Sequence, residues 1–377
     1  MVQRKNATST IMHSYMKLCV ISIVWILWGY SIAFGSPVFF DILGNFDFIG
    51  FKNVSHSMPL DDMTVPHILF ALFQGMFAVV AAAIITGSFA ERVKLGPVLL
   101  FSSIWVTLVY APVAHWFWGD GWIYDIFKPL DFAGGSVVHI NAAVAGLVAA
   151  IFLGRRKNCD GKIHAHNIPL TVLGATILWF GWFGFNAGSA LSSDGLASLA
   201  LVNTNAAGAA GGVAWFLIEL ASHKKPSAIG VISGSVAGLV SITPAAGYVE
   251  PSSAIVIGFI GSRICYWAVT YLKPKLGYDD SLDAFGIHGF GGLWGAIGTG
   301  IFATTSVNAE GQNGILYGSF HLLYSQIISS LIVIVYSAIM TYIILKFISL
   351  FCKMRVDEED ELKGLDQVLH GEDSYEF

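Results

Sequence analysis

Two histidines lie within long apolar stretches of this 377-residue chain. His139 belongs to DFAGGSVVHINAAVAGLVAA (131–150), and His288 belongs to LDAFGIHGFGGLWGAIGTG (282–300). A neutral imidazole offers one hydrogen-bond donor and one acceptor, and it can relay a proton near neutral pH. A single histidine of this kind is more often a structural hydrogen-bonding group. Two in comparable settings predict a site for a small polar or protonatable substrate.

Both histidines lie on stripes of small residues at helical spacing. The stripe around His139 contains Gly135, Ala142, Gly146 and Ala149, and the stripe around His288 contains Ala284, Gly291, Gly295 and Gly298. Small residues let membrane helices pack closely, so each imidazole is predicted to face the protein interior. An aspartate precedes each ring near the start of its helix, Asp131 and Asp283.

The sequence contains none of the motifs HExxH, GxSxG, CxxC or the phosphate-binding P-loop. Neither histidine helix adds a Cys, Asp or Glu that would complete a metal site. The chain is therefore predicted not to be an enzyme and to need no cofactor, no metal and no nucleic acid.

The composition predicts that these stretches are membrane helices. Hydrophobic residues make up 55% of the chain and charged residues 12%, with a mean hydropathy of +0.67. Backbone groups in lipid must be paired within a helix or a closed barrel, and the length of the apolar runs favours helices. The prediction is an all-α polytopic membrane protein with about ten transmembrane helices, at 15–35, 67–89, 96–117, 132–154, 167–187, 197–220, 227–247, 253–271, 285–303 and 321–350.

The basic residues predict the orientation. Fifteen of the 20 Lys and Arg lie in the N-terminal segment, the loops after even-numbered helices and the C-terminal tail. Basic loops remain on the cytoplasmic side, so both termini are expected in the cytoplasm of a protein that crosses the plasma membrane, the inner membrane of the cell, several times.

The two histidines also indicate an internal repeat. They lie in the fourth and ninth segments, so their helices cross the membrane in opposite directions, as in inverted-topology repeats around a central pore. We expect a transmembrane domain over 1–350, with a first repeat to about 154, a second at about 167–303 and a final helix at about 321–350. The second repeat has five helices and the first only four, so one helix is expected to be absent before residue 1.

The chain resembles the ammonium transporter (Amt/Mep/Rh) family. DFAGGSVVHINAAVAGLVAA, WFGWFGFNAGSA, FGIHGFGGLWGAIGTGIFA and HGEDSYEF look like family signatures, in the expected order from about residue 2 to 377. The resemblance implies a homotrimer of eleven-helix subunits, each with one pore for ammonium or ammonia, with methylammonium as an analogue. It also agrees with a missing first helix, for which an upstream start missed in the gene call is the preferred explanation.

The resemblance assigns roles to individual residues. It implies that Trp118 and Ser189 recruit the cation, although an interfacial aromatic belt is the alternative for a tryptophan at this depth. It implies that Phe73 and Phe77, which share one helix face, form a gate. The remaining residues assigned to the pore are His139, His288, Trp182 and Phe185.

The acidic residues leave alternatives open. Asp131 is either a ligand of ammonium or, as we expect, a carboxylate that stabilises a helix start. Asp283 looks similar at the inner end of its helix, although it and its neighbours Asp279 and Asp280 could instead contact the tail. The tail, 351–377, holds nine of the 25 acidic residues in its last 21 positions. It is either a flexible solvated segment or a docking site for a PII-type regulatory protein, and an ammonium sensor that signals through this tail is the alternative function.

Overall fold

The fold is built from helices that are long enough to cross a lipid bilayer. The computed structural model describes residues 2–60, 63–157, 165–223 and 225–375. The main helices of this part of the chain are α1 (Arg4–Phe34), α2 (His67–Phe89), α3 (Leu95–Phe127), α4 (Gly135–Leu153), α5 (Ile168–Gly188), α6 (Gly195–His223), α7 (Ala228–Ile242), α8 (Pro251–Leu276), α9 (Phe290–Phe302) and α10 (His321–Ser349). Eight of them, all except α7 and α9, have the length and hydropathy of a membrane span. The prediction of an all-α polytopic membrane protein is confirmed.

The remaining elements are short and lie at the ends of these helices. Two strands, Pro37–Val38 and Leu43–Gly44, pair antiparallel in the connection between α1 and α2. Turns of 3-10 helix occupy Ile49–Phe51 and Ile315–Tyr317, and a π-helical turn, Phe285–Gly289, leads directly into α9. In the tail, an α-helix at Glu358–Lys363 is followed by a π-helical turn at Asp366–His370.

Local sequence signals explain where several helices begin and end. The Asn167 side chain caps α5 by accepting a hydrogen bond from the Leu170 amide at 2.9 Å, and Ser227 caps α7 in the same way. The helix predicted at 227–247 ends at Ile242. Pro244 lies two residues further on, and a proline has no backbone N–H with which to continue the helical hydrogen bonds.

The first helix begins 11 residues before the predicted position of 15. Its early residues, including Thr8 and Ser9, are too polar to be counted as part of an apolar run. The amides of both residues donate to the Asp366 carboxylate, at 3.0 and 2.7 Å. A carboxylate at a helix start satisfies free amides and complements the helix dipole, so the tail stabilises this extra helical length.

Helices α4 and α9 pack at the centre of the protein through their small residues. A Cβ atom placed on Gly292 of α9 would lie 3.0 Å from the carbonyl oxygen of Gly135 in α4. A Cβ atom on Gly135 would lie 2.6 Å from Pro244. These approaches are too close for a larger side chain, so the glycines bring the two histidine helices into direct contact.

A buried ionic cluster joins three connections on the face of the protein that carries the tail, here called the tail face. Arg156 bonds Asp279 through Nε at 2.9 Å and Nη2 at 2.7 Å, and its Nη1 pairs with Glu91. Arg92 bonds the same aspartate at 2.9 Å. Burial alone would raise the pKa of Asp279, but the hydrogen bonds and charges of the two arginines hold that pKa well below its usual range.

The tail is packed against the protein rather than free in solvent. Its Arg355 forms a paired contact with Glu361 and donates to the carbonyl oxygens of Leu153 and Arg155 at the end of α4. Lys5 donates to the Leu362 carbonyl oxygen at 2.5 Å. Of the two alternatives for this segment, the flexible one is therefore wrong for the part described, up to residue 375.

Candidate functional site

The two histidines of the apolar helices meet at the centre of the protein. His139 Nδ1 lies 3.2 Å from His288 Nδ1, within hydrogen-bond distance, and the ring centroids are 5.1 Å apart. His139 lies in the π-helical first turns of α4, Gly135–Ile140, and His288 in the π-helical turn before α9. Turns of this kind occur often at functional sites. The structure thus brings together two residues that are 149 positions apart in the sequence.

The hydrogen bonds around the pair determine which ring nitrogens of the two histidines carry the protons. The Thr243 hydroxyl donates to the Leu239 carbonyl oxygen at 2.8 Å and accepts from Trp182 Nε1 at 3.0 Å. Because its single proton is already used, Thr243 accepts a hydrogen bond from His139 Nε2 at 3.3 Å. His139 Nδ1 is then the acceptor and His288 Nδ1 the donor of the shared bond. This arrangement leaves the lone pair of His288 Nε2 free for another donor.

Aromatic rings lead from one face of the protein to this pair. Trp118 contacts Phe77 edge to face at 5.9 Å, and Phe77 stacks on Phe185 at 4.2 Å. Phe185 in turn stacks with His139 at 6.1 Å. Trp182 also stacks on His139, with the ring centroids 5.4 Å apart. With Phe73, which contacts Phe77, five of the aromatic side chains predicted from sequence are in ring contact with one another or with His139.

Phe77 separates two cavities. The first, here called the vestibule, has a volume of about 280 Å³ and is lined by residues that include Trp118, Ser189 and Asp131. The second, here called the pore cavity, has a volume of about 550 Å³ and is lined by residues that include His139 and Trp182. Phe77 lines both. Among the described residues it is the one that both cavities share, and it is 1% exposed.

Phe73, the other predicted gate residue, lies on the pore-cavity side of Phe77. The two rings are in edge-to-face contact at 4.9 Å, as expected for residues four apart on a helix. Phe73 lines the pore cavity and also packs against Gly188 of α5, where a Cβ atom would lie 2.9 Å from the ring. The structure therefore places Phe73 beside the separation between the cavities rather than across it.

The polar atoms at the mouth of the vestibule are held by backbone contacts. Trp118 Nε1 donates to the Asp131 carbonyl oxygen at 2.9 Å, which fixes the indole over the cavity. The Ser189 hydroxyl donates to the Phe185 carbonyl oxygen at 2.9 Å. Its proton is used in that bond, so the Ser189 oxygen presents lone pairs to the vestibule.

The Asp131 carboxylate is saturated by backbone amides. Oδ1 accepts from Gly134 at 3.0 Å and Gly135 at 2.5 Å. Oδ2 accepts from Ser136 at 2.8 Å and Val137 at 3.1 Å. Burial raises the pKa of this carboxyl, and the four amides oppose that shift only in part. The geometry matches the helix-start role that the sequence favours for Asp131.

The corresponding prediction for Asp283 requires a correction. Asp283 pairs with Lys273 at 2.5 Å, and Asp280 is the carboxylate at the start of the His288 helix. Asp280 accepts from the Phe285 amide at 2.8 Å and from the Leu282 amide at 3.3 Å. Asp283 has a positive φ of 57°, which turns the chain between the loop and the helix. The sequence offered three neighbouring aspartates, and spacing alone did not identify the one that reaches the amides.

Several polar residues of the site were missed, among them Thr243 and Gln74 and the vestibule residues Tyr248, Asn308 and Glu310. Thr243 bonds His139 and Trp182, but a single threonine before Pro244 gives no distinctive sequence signal. Gln74 lines the vestibule. The sequence could have indicated it, because apart from His67 it is the only polar side chain in HILFALFQGMFAVVAAAI. Among the described residues, no three His, Cys, Asp or Glu side chains form a group suited to a metal ion.

The sequence is similar along nearly its whole length to known transport proteins. A family model described as Ammonium Transporter Family matches residues 1–375. The chain is 52% identical over 377 residues to an ammonium transporter of Bacillus subtilis, covering 100% of this chain and 92% of that protein. It is 46% identical over 371 residues to an ammonium transporter of Aquifex aeolicus, covering 98% and 86%.

The chain is also similar in fold and sequence to solved structures. The Saccharomyces cerevisiae protein Mep2 matches with a TM-score of 0.88 and 37% identity, covering 93% of this chain and 82% of that one. A structure titled Sensor Amt Protein matches with a TM-score of 0.87 and 30% identity, covering 98% and 91%. At these identities, both fold and sequence are shared.

Proposed function

The chain belongs to the ammonium transporter family, and from that premise we propose that it carries ammonium or ammonia across the membrane along the aromatic path from Trp118 to the histidine pair. One observation carries this proposal. The path joins a vestibule able to bind a cation to an apolar cavity that ends at two hydrogen-bonded imidazoles.

Recruitment takes place in the vestibule. Trp118 and Phe77 offer ring faces, and cation–π attraction contributes about 0.5–2 kcal/mol per ring, depending on how completely the cation is desolvated. The Ser189 oxygen offers lone pairs, because its proton is donated to Phe185. Ammonium has four N–H donors and a single positive charge. It is therefore complementary to a site of aromatic faces and acceptors.

We place the gate between the vestibule and the pore cavity at Phe77, with Phe73 packed against its ring from the pore-cavity side. A hydrated ion that enters the apolar pore cavity loses water and receives few polar contacts in return, which is strongly unfavourable. Burial favours the neutral form of an amine, so the substrate is expected to lose a proton on passing the gate. The gate thus admits ammonia and excludes permanently charged ions such as K⁺.

The histidine pair supplies the polar contacts that the pore cavity otherwise lacks. His139 lines the pore cavity, and His288 is bonded to it through the shared Nδ1–Nδ1 bond. Ammonia that moves past His139 can then donate a hydrogen bond to the lone pair of His288 Nε2. Trp182 and Phe185 pack around His139 and exclude water from it. The proton that the substrate loses at the gate is released to the water of the vestibule, so that neutral ammonia passes the histidine pair.

The orientation, assembly and partners follow from charge and from the family. The tail face carries Arg92 and Arg156 together with most of the other basic residues, so we propose that this face is cytoplasmic. We further propose a homotrimer in the plasma membrane, with methylammonium as an alternative substrate and the tail as the docking site for a PII-type regulatory protein.

The second candidate is an ammonium sensor without useful flux. It is supported by the likeness to the structure titled Sensor Amt Protein and by the packed tail, which contacts α1 through Asp366. Transport and sensing differ in one measurable respect, because a sensor binds the cation without moving it into a vesicle.

The experiment is uptake of radiolabelled methylammonium into proteoliposomes. We expect saturable uptake by the wild type, and a large loss of the saturable component in His139→Ala and in His288→Ala. The matched control is His321→Ala, because His321 is exposed at the start of α10. Binding of ammonium without uptake would favour the sensor, and equal uptake by all three variants would refute a path through the histidine pair.

A further inference from the structure

Gln74 is a polar side chain on an aromatic face of α2. Phe70 lies four residues before Gln74 and Phe77 three residues after it, so both share a face of the helix with Gln74. The Gln74 side chain lines the vestibule together with Phe70, Phe77 and Trp118. The Gln74 amide is thus placed beside aromatic rings at the point where the substrate is recruited.

The Gln74 amide oxygen is buried and has no hydrogen-bond partner among the described residues. The residue is 8% exposed, and Oε1 is one of the buried oxygens that no donor of the protein reaches. Buried polar atoms are nearly always paired, so an unpaired one calls for an explanation. A ligand that donates a hydrogen bond is such an explanation.

A structural glutamine in the same protein has a different environment. Gln326 Oε1 accepts from the Leu130 amide at 2.9 Å, and its Nε2 donates to the Leu130 carbonyl oxygen at 2.8 Å. That amide ties α10 to the segment before α4. Gln74 makes no comparable bond, so packing alone does not account for an amide at this position.

Of the polar side chains described in the vestibule lining, which are Gln74, Asp131, Ser189, Tyr248, Asn308 and Glu310, only Gln74 has a buried oxygen without a hydrogen-bond donor. The Asp131 carboxylate is saturated by four amides, and Trp118 and Phe77 offer ring faces without an acceptor atom. Ammonium has only donors, and an amide oxygen is a neutral acceptor with two lone pairs. We infer that Gln74 is a ligand of the ammonium ion in the vestibule, accepting one of its N–H groups through Oε1, an inference that rests on the proposed transport function.

A neutral acceptor also fits the direction of transport. A carboxylate at this position would bind the cation tightly and hold its proton, whereas an amide releases the substrate once it moves past Phe77. Gln74 is therefore expected to affect the concentration at which transport saturates more than the maximal rate.

The test compares Gln74→Met with Gln74→Glu in the proteoliposome assay. Methionine keeps the length and lack of branching of glutamine but removes the amide oxygen, and the loss of a hydrogen bond to a charged donor is expected to raise KM about tenfold with the maximal rate little changed. Glutamate keeps an acceptor and adds charge, so its KM is expected to be at or below that of the wild type. The control is Gln312→Met, since Gln312 bonds Lys128 elsewhere on the same face.

A second measurement separates a ligand from a packing residue. Ammonium that binds the folded protein should raise its thermal midpoint, and this increase should shrink in Gln74→Met but persist in Gln312→Met. An unchanged KM together with an unchanged stabilisation by ammonium in Gln74→Met would overturn the inference. A loss of folding in Gln74→Met that Gln74→Glu shares would also overturn it, because it would assign Gln74 a packing role. Absence of saturable uptake by the wild type would instead refute the proposed function itself.

Discussion

Replacing Asp131 with asparagine tests whether this carboxylate holds the start of the histidine helix or binds the substrate. Asparagine retains Oδ1, which can still accept from the Gly134 and Gly135 amides. Its Nδ2 replaces Oδ2 and points a donor at the Ser136 and Val137 amides, which are donors themselves. Two buried amides therefore lose their acceptor in this variant.

The magnitude follows from those two amides. A buried donor left without a partner costs about 1–3 kcal/mol, so the pair is expected to cost about 2–6 kcal/mol. Part of this cost is offset because a neutral side chain is easier to bury than a carboxylate, in line with the raised pKa of Asp131. We expect a net destabilisation of about 2 kcal/mol or more.

The assay is the half-life of the detergent-solubilised protein at a fixed elevated temperature, since large membrane proteins unfold irreversibly. If the lost stability lowers the unfolding barrier in full, 2 kcal/mol shortens the half-life more than tenfold. Asp125→Asn is the control, because Asp125 is exposed in the last turn of α3. In proteoliposomes, the Asp131→Asn protein that remains folded should show a wild-type KM. A wild-type half-life combined with a raised KM would refute the structural role and make Asp131 a ligand.

Three further changes test other parts of the site. Phe77→Ala joins the vestibule to the pore cavity and should admit K⁺, measured as K⁺ flux into vesicles; continued exclusion of K⁺ would contradict the gate. Thr243→Val removes the acceptor of His139 Nε2 and Trp182 Nε1, so uptake per folded protein should fall about tenfold through two lost hydrogen bonds, with recovery in Thr243→Ser. Asp279→Asn removes the carboxylate that buried Arg92 and Arg156 share, while Glu91 still pairs with Arg156. It should cost about 3–5 kcal/mol, seen as a lower thermal midpoint; an unchanged midpoint would contradict the role of this cluster.

Periodicity and composition were enough to predict the helices, because a bilayer demands about 20 apolar residues for each crossing. They failed where polar residues are helical because of contacts with distant parts of the chain. Thr8 and Ser9 are an example, since their backbone amides donate to Asp366 near the other end of the chain. A contact across 358 positions cannot be read from local sequence.

The candidate site likewise contains some features that the sequence predicted and others that depend on the folded structure. The interior positions of His139 and His288 were predicted from matched small-residue stripes, which carry their own packing signal. The helix-start carboxylate before His288 was assigned to Asp283, whereas the structure assigns it to Asp280, because the choice depends on a backbone turn with positive φ. Thr243 was not predicted at all, since one hydroxyl on another helix becomes visible only when the fold brings it to the imidazole.

The most direct test of the whole account is the ammonium-evoked rise of internal pH in proteoliposomes loaded with a pH-sensitive dye, comparing the wild type with a His139→Ala/His288→Ala double variant. If ammonia crosses through the histidine pair, the wild type adds a saturable component to the passive permeation of the bilayer, and the folded double variant loses most of it. An equal saturable component in both proteins would contradict the account, because the substrate would then cross without the histidine pair.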